Sequence, residues 1–423
     1  MREAVNQRPL FYIFHIESYY SYTHTQYNPF RENIMKNILI SCISLLLLAT
    51  AAILAVSCKE HNEDEDTSKA AETVIMFFPY SRLESSITKN IEAFKKAIVS
   101  RGGLGRSRVV VFQTISNGNA RMYEIKYDNG ICTDHIIETD IAITFHSNDQ
   151  QQVTSDIQRI LSIVKQHAEA ENYSLISGCH GNAWLPAGTY NLNELNSRAF
   201  GTSTKNYQID NSSVVTALLN EGMHLRYILF DACFMSNIET IFEYQEVCDY
   251  YISSPTEILA YGMPYDVMGD ALLKHNYDEA AKKYHEFYSA TSTPYATISV
   301  VDCRHISDMV NVMNRIYESA DVLTDVSTLQ PMEGMKPTVF FDFADYVNTL
   351  CTDDALRNEF NCTLQALVPY KYHTPSFYSV FNKKFIAVNS YCGLNTSEPT
   401  QHPALLEAIR QTPWHIATRG GSR

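Results

Sequence analysis

The chain has 423 residues, with 47 Asp+Glu against 33 Lys+Arg and a formal net charge of −14. At 45% hydrophobic residues, with only 16 Gly and 14 Pro, it is neither disordered nor collagenous and can bury a large core in two to three domains. The acidic balance lacks the basic footprint of a nucleic-acid binder, and ten scattered cysteines are too few for a disulfide scaffold.

Residues 1–34 show no helical or strand period. Met35-Lys36-Asn37 then opens an apolar run, from Ile38 through the leucines 45–48 to Val56. A charged start, an apolar stretch and small residues at its end make a secretory signal; a transmembrane helix is the alternative. Leu54-Ala55-Val56-Ser57-Cys58 resembles a bacterial lipobox, in which the cysteine is lipidated and becomes the new N-terminus. That resemblance implies Met35 as initiator, 1–34 outside the translated protein and 35–57 as the removed signal. It also implies a lipid anchor on Cys58 in the outer membrane. Residues 58–72 are then an acidic tether. The charges right behind Cys58 resemble the surface-export signal of Bacteroidetes lipoproteins, although a plain polar spacer has the same composition.

From residue 73 the pattern alternates. Thr73–Phe78 reads as a buried strand. Residues 84–100 read as a helix, with Ile87, Ile91, Phe94 and Ile98 on one face, stopped by Gly102-Gly103. Arg108–Gln113 is the next strand. Residues 120–142 alternate around the turn Asp128-Asn129-Gly130, which predicts a hairpin near a sheet edge. A helix over Thr154–Glu169 leads to a strand over Tyr173–Gly178. Helix Val214–Asn220, strand Tyr227–Phe230, helix Ile238–Tyr244 and strand Tyr250–Ser254 follow. Further on come a helix over 276–292, strand Thr297–Val301 and a helix through Met309 to Ala320. Gln330–Gly334 marks a boundary, and beyond it lie a helix near 355–366 and strands around 376–390. The expectation is an α/β fold: a mostly parallel sheet flanked by helices over 73–330, with a C-terminal α/β subdomain over 331–423.

Such sheets place chemistry beyond the carboxyl ends of their strands. Two strands end in reactive residues, one at Cys179-His180-Gly181 and the other at Asp231-Ala232-Cys233. Ionised Cys is a strong nucleophile and His accepts its proton. Gly181 leaves room for a substrate backbone, and its N–H can face an oxyanion. From the residues alone, His180 and Cys233 are either this pair or ordinary strand-end residues. Cys179 and Cys248 read as packing residues, and His224 and His305 as surface histidines. No HExxH, CxxC or clustered ligand spacing calls for a metal or other cofactor.

His-Gly after one apolar strand, and Asp-Ala-Cys after a second about fifty residues later, resembles the clan of caspases, legumains, gingipains and clostripain. Asp231-Ala232-Cys233-Phe234-Met235 with Glu239, and Ser253-Ser254-Pro255-Thr256-Glu257 continuing to Tyr261-Gly262-Met263-Pro264-Tyr265-Asp266, resemble the clostripain-like family most closely. The resemblance implies a caspase-like sheet and a cysteine endopeptidase using His180 and Cys233 on peptide or protein substrates, acting as a monomer without cofactor. It implies Asp231 in a pocket for Arg or Lys at P1, with Tyr261 where a second acid is often found. It also implies self-cleavage after Lys205 or Arg198. A catalytically silent, peptide-binding lipoprotein of the same fold is the alternative.

Overall fold

The computed structural model describes residues 69–419, apart from 80–82, 116–118, 144, 146–147, 187–207 and 321–322. Cys58, Arg198 and Lys205 lie outside the described residues.

The first half alternates strand and helix much as its periodicity predicts. Strand β1 (Glu72–Phe78) is followed by helix α1 (Glu84–Arg101), which ends where Gly102 turns left-handed and its N–H meets the carbonyls of Ile98 and Val99. Strands β2 (Ser107–Thr114), β3 (Asn119–Asp128) and β4 (Ile131–Ala142) follow, the last two forming the expected hairpin. Helix α2 (Gln150–His167) begins four residues before its first apolar stripe suggests, because Asp149 caps it by accepting from the Gln152 N–H. Next come β5 (Tyr173–Gly178), α3 (Asn211–Asn220), β6 (Leu225–Asp231), α4 (Ile238–Tyr244) and β7 (Cys248–Ser253). Helices α5 (Tyr265–Leu273) and α6 (Tyr277–Ser289), strand β8 (Thr297–Asp302) and helix α7 (Ile306–Ser319) complete this half.

The sheet has nine strands in the order β10-β8-β7-β6-β5-β1-β2-β3-β4, with β10 spanning Tyr370–His373. The five central strands, β7 to β2, are parallel; β3, β4, β8 and β10 each run antiparallel to the neighbour inside them. Alternate residues of each strand face opposite sides. Ile75, Phe77, Val110 and Phe112 therefore pack in one apolar layer with α2, α3 and α7, while Val74, Met76, Phe78 and Val109 pack in the other with α1, α5 and α6.

Residues 331–419 are part of the same compact unit, Lys69–Arg423. They supply β10 to the main sheet, helices α8 (Phe343–Leu350) and α9 (Asp354–Leu367), and short strands β9 (Phe341–Asp342), β11 (Ser376–Ser379), β12 (Lys384–Ala387) and β13 (Asn395–Thr396). Two short helices close the described chain, α10 (Leu406–Arg410) and α11 (Pro413–Arg419). The C-terminal α/β segment contributes side chains to the buried core. A third apolar cluster shows this directly: Ala183, Trp184, Cys233 and Phe234 pack with Met332, Val339 and Phe340.

Candidate active site

Strands β5 and β6 are hydrogen-bonded neighbours with Gly178 opposite Asp231. The Cys179 N–H extends this ladder to the Asp231 carbonyl at 3.3 Å. Parallel strands lie about 4.8 Å apart, so His180 and Cys233, each two residues beyond that matched pair, leave the sheet side by side. Both are largely buried, at 8% and 7% exposure. They line one cleft of about 60 Å³ together with Asp231, Asn90, Ile258 and Gly262.

Gly181 holds the two loops in contact. A Cβ there would stand 2.1 Å from the Cys233 carbonyl oxygen and 2.8 Å from its backbone nitrogen. Any larger residue must therefore push the His180 loop off the Cys233 loop. After the cysteine, Phe234 adopts φ 61°, a strained conformation for a bulky residue. Its N–H is held by the Thr256 carbonyl at 3.0 Å. The Cys233 sulfur lies 3.3 Å from the Ile258 N–H and 3.4 Å from the Ile258 carbonyl. The sulfur can thus both donate to the Ile258 carbonyl and accept from its N–H.

Asp231 also lines this cleft. Its Oδ2 accepts from the Met263 N–H at 3.0 Å, the Tyr265 hydroxyl at 3.1 Å and the Asn90 amide at 3.2 Å. Burial pushes its carboxyl up to about 6, and the Met263 and Tyr265 donors oppose that rise. All three donors are neutral, so the carboxylate has no cation among them. Gly262, at φ 74°, allows this close approach: a Cβ there would sit 2.6 Å from Oδ2.

Tyr261 stands outside the cleft lining. It is 52% exposed and stacks on Phe287, with ring centroids 5.1 Å apart. Cys179 is buried and lines the cleft next to His180. Cys248 is buried with its sulfur 3.7 Å from that of Cys303. His224 and His305 face Asp249 and Asp308. Among the described residues, no three His, Cys, Asp or Glu side chains converge as a metal-ligand set.

Sequence reasoning missed Asn90 and the Ile258 backbone as parts of this cleft, and Tyr265 as a buried partner of Asp231. Asn90 carried a readable signal, because it sits between Ile87 and Ile91 on the buried face of α1. A buried amide on an apolar stripe needs a partner. Ile258 carried none, since only its backbone is used.

The family model of the clostripain family matches residues 81–392. A secreted C11 cysteine protease from Bacteroides thetaiotaomicron, "iotapain", is 30% identical and superposes with a TM-score of 0.75, covering 83% of this chain and 99% of its own. An inactive zymogen C11 protease from Parabacteroides distasonis is 26% identical, with a TM-score of 0.71 over 83% of this chain and 99% of its own. A third structure, a secreted C11 cysteine protease from Bacteroides thetaiotaomicron in complex with an irreversible peptide inhibitor, is 19% identical and has the same fold, with a TM-score of 0.70 over 82% and 98% of the two chains. No curated protein matches the sequence. With its mostly parallel, helix-flanked sheet and a family match spanning most of the folded unit, the chain belongs to the clostripain family of cysteine peptidases.

Proposed function

We propose that this protein is a cysteine endopeptidase in which Cys233 is the nucleophile and His180 the general base and acid, with Asp231 selecting Lys or Arg at P1. The observation that carries the reading is a single cleft lined by His180, Cys233 and an acid whose hydrogen-bond donors are all neutral.

In this mechanism His180 takes the thiol proton and the sulfur attacks the scissile carbonyl carbon. The oxyanion that forms accepts from the Gly181 N–H beside it. His180 then protonates the leaving amine, giving an acyl-enzyme. Water attacks the thioester after yielding its proton to His180, and the sulfur leaves as the carboxylate product forms. A lysine or arginine side chain in the cleft supplies the positive charge that Asp231 lacks.

The test compares the wild-type chain with Cys233→Ala and His180→Ala, using peptides that differ only at P1 and an acyloxymethyl-ketone probe. Hydrolysis after Lys or Arg, with probe labelling lost in Cys233→Ala, is expected. Peptide binding without turnover in the wild type would instead establish the silent, peptide-binding alternative.

The reading includes a lipid anchor on Cys58, supported by the lipobox-like run before it, and self-cleavage after Lys205 or Arg198, the candidate basic residues between His180 and Cys233. Cys58→Ser should leave the membrane fraction and lose palmitate labelling. Wild-type protein, but not Cys233→Ala, should be cut between the two catalytic residues on incubation; equal clipping of both would remove self-processing from the reading.

A further inference from the structure

The loops that carry His180 and Cys233 are joined a second time, through the C-terminal segment. On the histidine side, the Trp184 indole N–H donates to the Ser397 hydroxyl at 2.9 Å. On the cysteine side, Glu239 in the first turn of α4 accepts from the Ser397 N–H at 2.8 Å and the Thr396 hydroxyl at 2.6 Å through Oε1. Its Oε2 accepts from the Asn237 amide at 2.5 Å. Asn237 is locked in turn: its Oδ1 accepts from both the N–H and the hydroxyl of Thr240 at 2.9 Å, capping α4. The Asn395 N–H holds the Ser236 carbonyl at 2.8 Å.

The same segment also grips the residue after the nucleophile. The ring of Phe234 stacks on Phe340 at 5.0 Å and on Phe381 at 6.1 Å, with interplanar angles of 23° and 24°. A left-handed phenylalanine persists only where its surroundings over-determine it. Two rings from the C-terminal segment do so here.

We infer that Trp184, Ser397 and Glu239 are positioning residues that set the placement of the His180 loop against the Cys233 loop, and that residues 331–398 thereby complete the catalytic centre. This rests on the proposed peptidase reading. None of the three touches the reacting atoms; they act through Trp184 on one loop and Asn237 on the other. All of these links are buried, where a hydrogen bond is strong and its loss leaves an unsatisfied partner.

The test uses the full chain, with rates expressed per active site titrated by the acyloxymethyl-ketone probe, so that unfolded molecules do not count. Trp184→Phe and Ser397→Ala cut the same link from its two ends. Each should lower kcat about 10- to 100-fold, as a displacement of about 1 Å does, with KM changed less than about twofold. The double variant should be no worse than either single, and iodoacetamide alkylation of Cys233 should slow towards the His180→Ala rate. Glu239→Gln should reproduce the defect: its amide would face the Asn237 donor, and Asn237 cannot flip without losing Thr240. Wild-type kcat in Trp184→Phe and Ser397→Ala, losses that multiply in the double variant, or an effect on KM alone would overturn the inference. If Cys233→Ala kept activity, the peptidase reading itself would fall; if Cys233→Ala is dead while Trp184→Phe and Ser397→Ala are unaffected, only the positioning role falls.

Discussion

The β3–β4 hairpin and the pair of loops after β5 and β6 both lie at margins of one sheet, and they are built in opposite ways. The hairpin pairs sequence neighbours around Asn129 and Gly130, at φ 48° and 84°. Its outer strand is largely exposed, with Ile131 and Ile136 in solvent. The loops that carry His180 and Cys233 are buried and held by partners distant in sequence: Trp184 and Ser397 are 213 residues apart, and Glu239 and Ser397 158. Their charges differ as well. On the hairpin, burial would raise the Glu124 carboxyl, but Arg108 and Lys126 at 2.8 Å hold it below the ordinary range. Around the loops, burial pushes Glu239 and Glu333 up to about 7 and Glu257 to about 8, against only neutral hydrogen-bond donors. A region made from local chemistry tolerates change; a region assembled from distant parts concentrates strain and buried carboxyls whose neutral form burial favours.

The sharpest way to break this contrast is at Cys233. Cys233→Ala should lower kcat by about 10⁴-fold or more, with His180→Ala close behind, as for other paired nucleophiles and bases; a steady-state assay on a Lys-P1 peptide reads both. Next comes charge. Asp231→Asn should cost about 100-fold in kcat/KM for Lys or Arg at P1, because it strands the bound cation, and far less for a neutral P1 residue. Gly181→Ala should lower kcat about 10- to 100-fold by forcing the loops apart. Equal activity in Gly181→Ala would show that the loops move independently.

The charge difference also predicts how stability depends on pH. Asp231, Glu239, Glu257 and Glu333 have folded pKa values raised above the ordinary carboxylate range near 4. Each therefore stabilises the fold fully below that range and loses its contribution as pH rises through its folded value. Tm should accordingly fall by several degrees between about pH 5 and pH 8.5, and Glu257→Gln should flatten the upper part of that decline. The smallest effect belongs to the hairpin. Gly130→Ala meets no neighbour within 4 Å but must hold φ 84°, costing about 1 kcal/mol. Tm should drop by about 2–4 °C and hydrolysis should stay unchanged.

Much of this molecule can be read from its sequence because the signals are local. The alternation of β1, α1 and β2, the stop at Gly102 and the hairpin turn at Asn129-Gly130 each depend on residues within one element or its ends. Asp149 shows the limit even there: α2 starts at a cap rather than at its first apolar residue. His180 and Cys233 stood out by residue type at the ends of two apolar strands. That these strands are neighbours is a property of the sheet order, which periodicity does not encode. Tertiary structure alone brought Asn90 from α1 to Asp231 and left Tyr261 stacked on Phe287, outside the cleft. It alone brought residues 331–398 against the loops that carry His180 and Cys233, with Phe340 and Phe381 around Phe234 and Ser397 between Trp184 and Glu239. Helix and strand periods record which face is buried, not which distant residue buries it.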